Sequence, residues 1–167
     1  MKNKNFNITG TCVASEDYMV DITGKLFEIK KMIDAQEYFT INRGRQYGKT
    51  TTLHQLESFL QDEYIVISIS FEGMGTTIFQ TEEGFCQELL NKIHKALSFL
   101  EIEKPYIESW KNKTVKNFSA LSEHITNMCK NRKIVLMIDE VDKASNHFVF
   151  IDFLGKLSPL MANKQMS

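Results

Sequence analysis

Tyr38-Phe39-Thr40-Ile41-Asn42-Arg43-Gly44-Arg45-Gln46-Tyr47-Gly48-Lys49-Thr50-Thr51 is the stretch on which the reading of this chain turns. Its opening, Glu37 to Asn42, is short, aromatic and β-branched, which predicts a strand running into a glycine-containing loop. Directly behind the loop, Leu53, Leu56 and Leu60 share one face from Lys49 to Gln61, which predicts an amphipathic helix. A strand, a glycine turn and a helix that opens with Gly48-Lys49-Thr50 form a layout suited to phosphate. Gly48 lets the backbone come close to the anion. The amides of Tyr47 to Thr51 point at it from the helix start, with Gly44 and Gln46 completing the loop around it. Lys49 reaches the outer phosphates, and the Thr50 hydroxyl is a ligand for Mg²⁺. The first glycine of G-x-x-x-x-G-K-[ST] is replaced by Arg43, with Gly44 one place late, so the loop is expected to be shaped differently.

Further along, Ile134-Val135-Leu136-Met137-Ile138 is five apolar residues in a row followed by Asp139-Glu140, the pattern of a fully buried central strand that ends in acids. Asp139, a hard carboxylate, suits a hard cation held through water. Glu140, beside it, is the natural general base for an attacking water. Tyr64 to Phe71 predicts another parallel strand, buried on both faces, with Ser70 and Glu72 at its carboxyl end. Helical spacing appears over Asp21 to Ile33, with Asp21 or Thr23 able to cap it, from about Glu82 through Leu100, and from Ser119 to Lys130. A last helix through Phe148, Ile151, Leu154 and Leu157 is expected to break at Pro159, and Pro105 to Trp110 reads as a loop or short helix. Strands alternating with helices imply βαβ units and a parallel sheet, with ligands beyond the carboxyl ends of the strands.

The composition agrees with a single globular domain. The 167 residues are 43% apolar, too many for a disordered chain, and a formal net charge of -1 gives no global basic field for nucleic acid. No apolar run approaches the length of a membrane span, so a cytoplasmic protein without a membrane partner is expected. Cys12, Cys86 and Cys129 are an odd number without C-x-x-C spacing, which predicts reduced thiols rather than a disulfide framework or zinc. His54, His94, His124 and His147 are scattered without matched partners, and Trp110 is read as a packing residue. Lys130, Arg132 and Lys133 are read as the basic end of a helix. Arg43 and Arg45 divide evenly between phosphate contact and an ordinary solvated loop.

The run from Tyr38 to Leu53, taken with Ile134 to Asp139-Glu140-Val141-Asp142-Lys143, resembles the AAA-like ATPase domains of bacterial proteins, and the resemblance spans nearly the whole chain. That family commonly carries an arginine-bearing P-loop lacking its first glycine. The resemblance implies ATP and Mg²⁺ bound through Gly48, Lys49, Thr50, Thr51, Asp139 and Glu140, with Lys49 and Glu140 as catalytic groups. In related NTPases the counterpart of Tyr18-Met19-Val20-Asp21 lies close to base and ribose. The implied fold is the P-loop NTPase three-layer α/β/α sandwich with a parallel sheet. One partial domain would cover 1–167, with 1–36 leading into the P-loop strand. In the additional-strand class of these ATPases a further strand follows the Walker B acids in sequence. Val141 to Ser167 holds no second Val/Ile-rich run, so incompleteness at the carboxyl end is expected and nucleotide binding is better supported than hydrolysis. The alternatives are a non-hydrolysing interaction module, with a protein partner or self-association, a small-molecule kinase, and a remnant without ligand.

Overall fold

The computed structural model describes residues 21–37, 39–41, 48–141, 144 and 147–162, of which 157–162 are described by their backbone alone. The chain divides into two compact units, Met1–Asp62 and Glu63–Ser167.

In the first unit, helix α1 runs Thr23–Asp34 and helix α2 runs Lys49–Leu60. The start of α1 is held by Asp21, whose Oδ1 accepts the Thr23 N–H at 2.9 Å. The hydroxyl and the amide of Thr23 keep the Asp21 carboxyl below its ordinary range. Leu26 and Ile29 on α1 and Thr52, Leu56 and Leu60 on α2 are buried. Phe27 and Phe59 meet edge to face at 5.1 Å. The strand expected over Glu37 to Asn42 is not formed at the described residues of that segment, Glu37 and Phe39 to Ile41. A strand exists only through pairing, and the two described strands of the chain pair with each other.

The second unit is mixed α/β. Strand β1 (Ile65–Ser70) and strand β2 (Ile134–Asp139) form a two-stranded parallel sheet in which Ile65 lies opposite Ile134 and Ser70 opposite Asp139. A parallel pair needs a long connection, and here it consists of a 3₁₀ turn (Thr76–Gln80) and helices α3 (Glu82–Leu97), α4 (Lys104–Ser109) and α5 (Phe118–Met128). Helix α6 (Phe148–Ala162) follows β2. Side-chain caps start the two amphipathic helices of the connection. Thr81 accepts from the Gly84 N–H at 3.1 Å, and Asn117 accepts from the Ala120 N–H at 2.9 Å.

One face of the sheet, carrying Ile67, Ile69 and then Phe71, joins a cluster with Phe79, Phe85, Leu89, Phe150 and Phe153. The rings of Phe71, Phe79, Phe85, Phe118, Phe150 and Phe153 are linked by centroid separations from 5.0 Å to 6.4 Å, in tilted and edge-to-face arrangements that suit aromatic quadrupoles. Trp110 is 1% exposed, as expected of a packing residue. Two expectations are corrected. β2 is largely half-buried rather than fully buried, because Ile134, Leu136 and Ile138 pack on the cluster from a strand that has one partner among the described residues. The last helix continues through Pro159 to Ala162 instead of breaking there.

Candidate functional site

The chemistry expected of this chain rests on two segments, one in each unit, and each is described by itself.

In the first unit Gly48 caps α2 with φ +70° and ψ +30°, the left-handed conformation. Glycine enters this region freely, whereas other residues are strained in it. A Cβ at Gly48 would meet nothing within 4 Å, so the demand for glycine comes from the backbone and not from lack of space. The helix that follows has no side-chain cap and no acidic residue in its first turn. No acidic side chain in that turn offsets the positive end of the helix dipole. Thr52 secures the turn: its N–H and its hydroxyl both donate to the Gly48 carbonyl, at 2.8 Å and 2.9 Å. Thr52 is 3% exposed, so this pair of bonds is shielded from water. Lys49 and Thr51 are half-buried and Thr50 is exposed at the helix start. Gly44, Gln46 and Tyr47, with Arg43 and Arg45, lie outside the described residues, as do Tyr18 to Val20. Thr52 is a residue that the reading of the motif missed, although a threonine four places behind a helix cap can be seen in the sequence to reach back to that carbonyl.

In the second unit the carboxyl ends of the two parallel strands stand side by side. Asp139 is opposite Ser70, and its carbonyl accepts the Phe71 N–H at 3.0 Å. The Asp139 Oδ1 accepts the Glu140 N–H at 2.8 Å, within a turn in which Glu140 takes φ +56°. A glutamate in the left-handed region is uncommon and costs about 1 kcal/mol or more. Both acids are half-buried. The Ser70 hydroxyl oxygen accepts the Glu72 N–H at 3.0 Å, which turns the chain away from β1 just before Gly73 at φ +74°. Strand ends, acids and serine hydroxyl thus share one edge of the sheet. Among the described residues no group of three or more His, Cys, Asp and Glu side chains is gathered to hold a metal ion. Taken separately, the Thr50 hydroxyl of the first unit and the Asp139 carboxylate of the second are each an oxygen donor of a type that suits a hard cation.

The remaining polar residues fall mostly into structural roles. Cys86 is buried, and burial together with Glu82 pushes its thiol up to about 12, so it is inert as a nucleophile. His147 stacks on Phe79 at 4.5 Å. Arg132, expected simply to neutralise a helix end, lies over the Tyr106 ring at 4.1 Å and pairs with Glu103 at 3.2 Å. Among the described residues no helix is long and apolar enough to cross a membrane.

No protein-family profile matches the chain, and neither a curated protein nor a solved structure matches it.

Proposed function

We propose that this chain is a nucleotide-binding protein of the P-loop type that takes ATP with Mg²⁺. The observation that carries the reading is the Gly48-Lys49-Thr50 helix start. A left-handed glycine there opens a helix whose first turn has a lysine and no acid. Such a start favours an anion through its amides, its dipole and the lysine charge together. In this reading Lys49 and the amides of Gly48 to Thr51 hold the phosphates. Thr50 and Asp139 are the oxygen donors that this reading would assign to Mg²⁺, which when bound would neutralise charge on the phosphate oxygens. Glu140 accepts the proton of an attacking water, and the strained backbone at that residue is the kind of feature kept where a side chain must be aimed. The three-layer α/β/α architecture, membership of the AAA-like ATPases and a cytoplasmic setting belong to the same proposal.

Calorimetric titration with ATP and a non-hydrolysable analogue, with and without Mg²⁺, tests it. Saturable, Mg²⁺-dependent binding that is lost in a folded Lys49→Ala variant is expected, and unchanged affinity in that variant would remove the assignment. Turnover is a separate question. Multiple-turnover phosphate release that vanishes in Glu140→Gln would establish hydrolysis. Binding without release would make the protein a nucleotide-dependent interaction module, and ATP consumption only in the presence of an acceptor would make it a kinase.

A further inference from the structure

Outside those segments, one polar group in the second unit is placed where a proton would change its partners. His124 on α5 meets Trp110 edge to face at 6.0 Å, and its Nδ1 lies 3.4 Å from Nδ2 of Asn112. The orientation of that amide follows from its other bonds. The Asn112 Oδ1 accepts both the Thr114 N–H, at 3.0 Å, and the Thr114 hydroxyl, at 2.6 Å, so it is the Asn112 NH₂ that faces the ring. Nδ1 must then be the unprotonated, accepting nitrogen, and Nε2 carries the hydrogen in the neutral ring. Nε2 is sealed from solvent and meets no acceptor with hydrogen-bond geometry among the described residues, as is true of Trp110 Nε1, although the Trp110 backbone lies near enough to favour a proton on the ring.

We propose that His124 is an acid-operated latch on the loop from Trp110 to Val115, holding it through Asn112 when neutral and letting go when protonated. A proton on Nδ1 would set two donors against each other across the contact. The loop would then rely on Gln87, whose Nε2 donates to the Asn112 and Val115 carbonyls at 3.0 Å and 2.6 Å. Charged groups on the neighbouring elements are engaged with one another or solvated. His94 of α3 meets Glu108 of α4 at 3.2 Å, Glu108 takes Lys111 at 3.2 Å, and Lys116 pairs with Glu83 at 3.3 Å. Lys113, Glu123 of α5, and Asp152 and Lys156 of α6 are exposed. What acts on His124 is burial, which holds its imidazole below the ordinary value, against a weaker opposite pull from the Trp110 backbone. The sign follows: as pH falls the unfolded chain takes up this proton first, so the stability contributed by the neutral ring is complete above about 6.5 and declines below it.

Trp110 is the sole tryptophan, so the indole emission of the full chain comes from this one site, and the His124 variant isolates the contact from the indole's other neighbours. Lowering the pH is expected to quench its emission with a midpoint below about 6.5, and acrylamide access to the indole should rise over the same range. His124→Gln should flatten both curves. A transition that persists in that variant would assign it to another group and overturn the proposal. Quenching with constant acrylamide access would overturn it equally, because the ring would then titrate without opening the loop. Should His124→Gln fail to fold, Asn112→Asp decides: a carboxylate oxygen would accept from the protonated ring where the amide opposes it, raising the midpoint by about one pH unit. An unmoved midpoint there would also overturn the latch.

Discussion

Gly48 and Glu140 both take a positive φ, +70° and +56°, at the two segments on which the proposed chemistry rests. At Gly48 the conformation is free of cost, since glycine has no Cβ, and what shapes the turn is backbone: a carbonyl fixed by Thr52 at the start of α2. At Glu140 a positive φ is taken by a residue with a long charged side chain, against its steric preference and steadied by the Asp139 carboxylate. Where the backbone is the functional part, glycine and the conformation agree. At Glu140, as at Gln36 and Asn131, a side chain is carried in spite of the steric preference, and under the proposed function Glu140 is kept there for its carboxylate.

That contrast can be broken in graded steps. Gly48→Val should have the largest effect: a β-branched residue in the left-handed region costs about 1–2 kcal/mol, read by thermal unfolding, and should abolish phosphate binding even though the space around the residue is open. If Gly48→Val bound nucleotide normally, the turn would not be the phosphate-holding element. Thr52→Val comes next, with a loss of about 1 kcal/mol for the buried hydroxyl's bond to the Gly48 carbonyl. In that variant weaker nucleotide binding should accompany the loss, whereas Thr52→Ser keeps the bond and should retain most of both. Glu140→Gly runs the other way: relief of the left-handed strain should raise stability by about 0.5–1 kcal/mol while removing any turnover. A variant that lost stability would mean that the glutamate side chain contributes to folding and is not kept for chemistry. The smallest effect is expected from Asp139→Asn, whose Oδ1 can still accept the Glu140 N–H. Weakening a charge-assisted bond to a neutral one should cost about 0.5–1 kcal/mol by the same measurement.

Much of this architecture was legible beforehand, and the reason differs by element. Phe85, Leu89, Ile93 and Leu97 repeat at helical spacing, and burial of that face is what α3 does. Ile134 to Ile138 announced a strand through an unbroken apolar run, and β2 occupies Ile134–Asp139. What misled was local propensity without a partner: Phe39 to Ile41 have the composition of a strand yet no ladder, and Pro159 has the composition of a stop yet lies within α6. The 3₁₀ turn at Thr76–Gln80 carries no periodic signal to be read, although Phe79 within it is 5% exposed and joins the aromatic cluster. Of the candidate site, the glycine, the lysine and the acids were visible as residue types. The bonds of Thr52 and Asp139 that shape their turns were not, because they depend on where a carbonyl or an amide comes to lie in space.

The sequence by itself determined the helices with apolar periodicity, the two apolar strands and the chemical character of Gly48-Lys49-Thr50 and Asp139-Glu140, since hydrophobic burial and side-chain chemistry are properties of residue type and spacing. Tertiary structure alone decided that β1 pairs with β2 in a register placing Ser70 against Asp139, and that an asparagine held by Thr114 comes to lie beside a histidine twelve residues away. Pairing and hydrogen bonding join groups far apart in the chain, and the free energy that selects among the alternatives exists only once the surrounding core has excluded water.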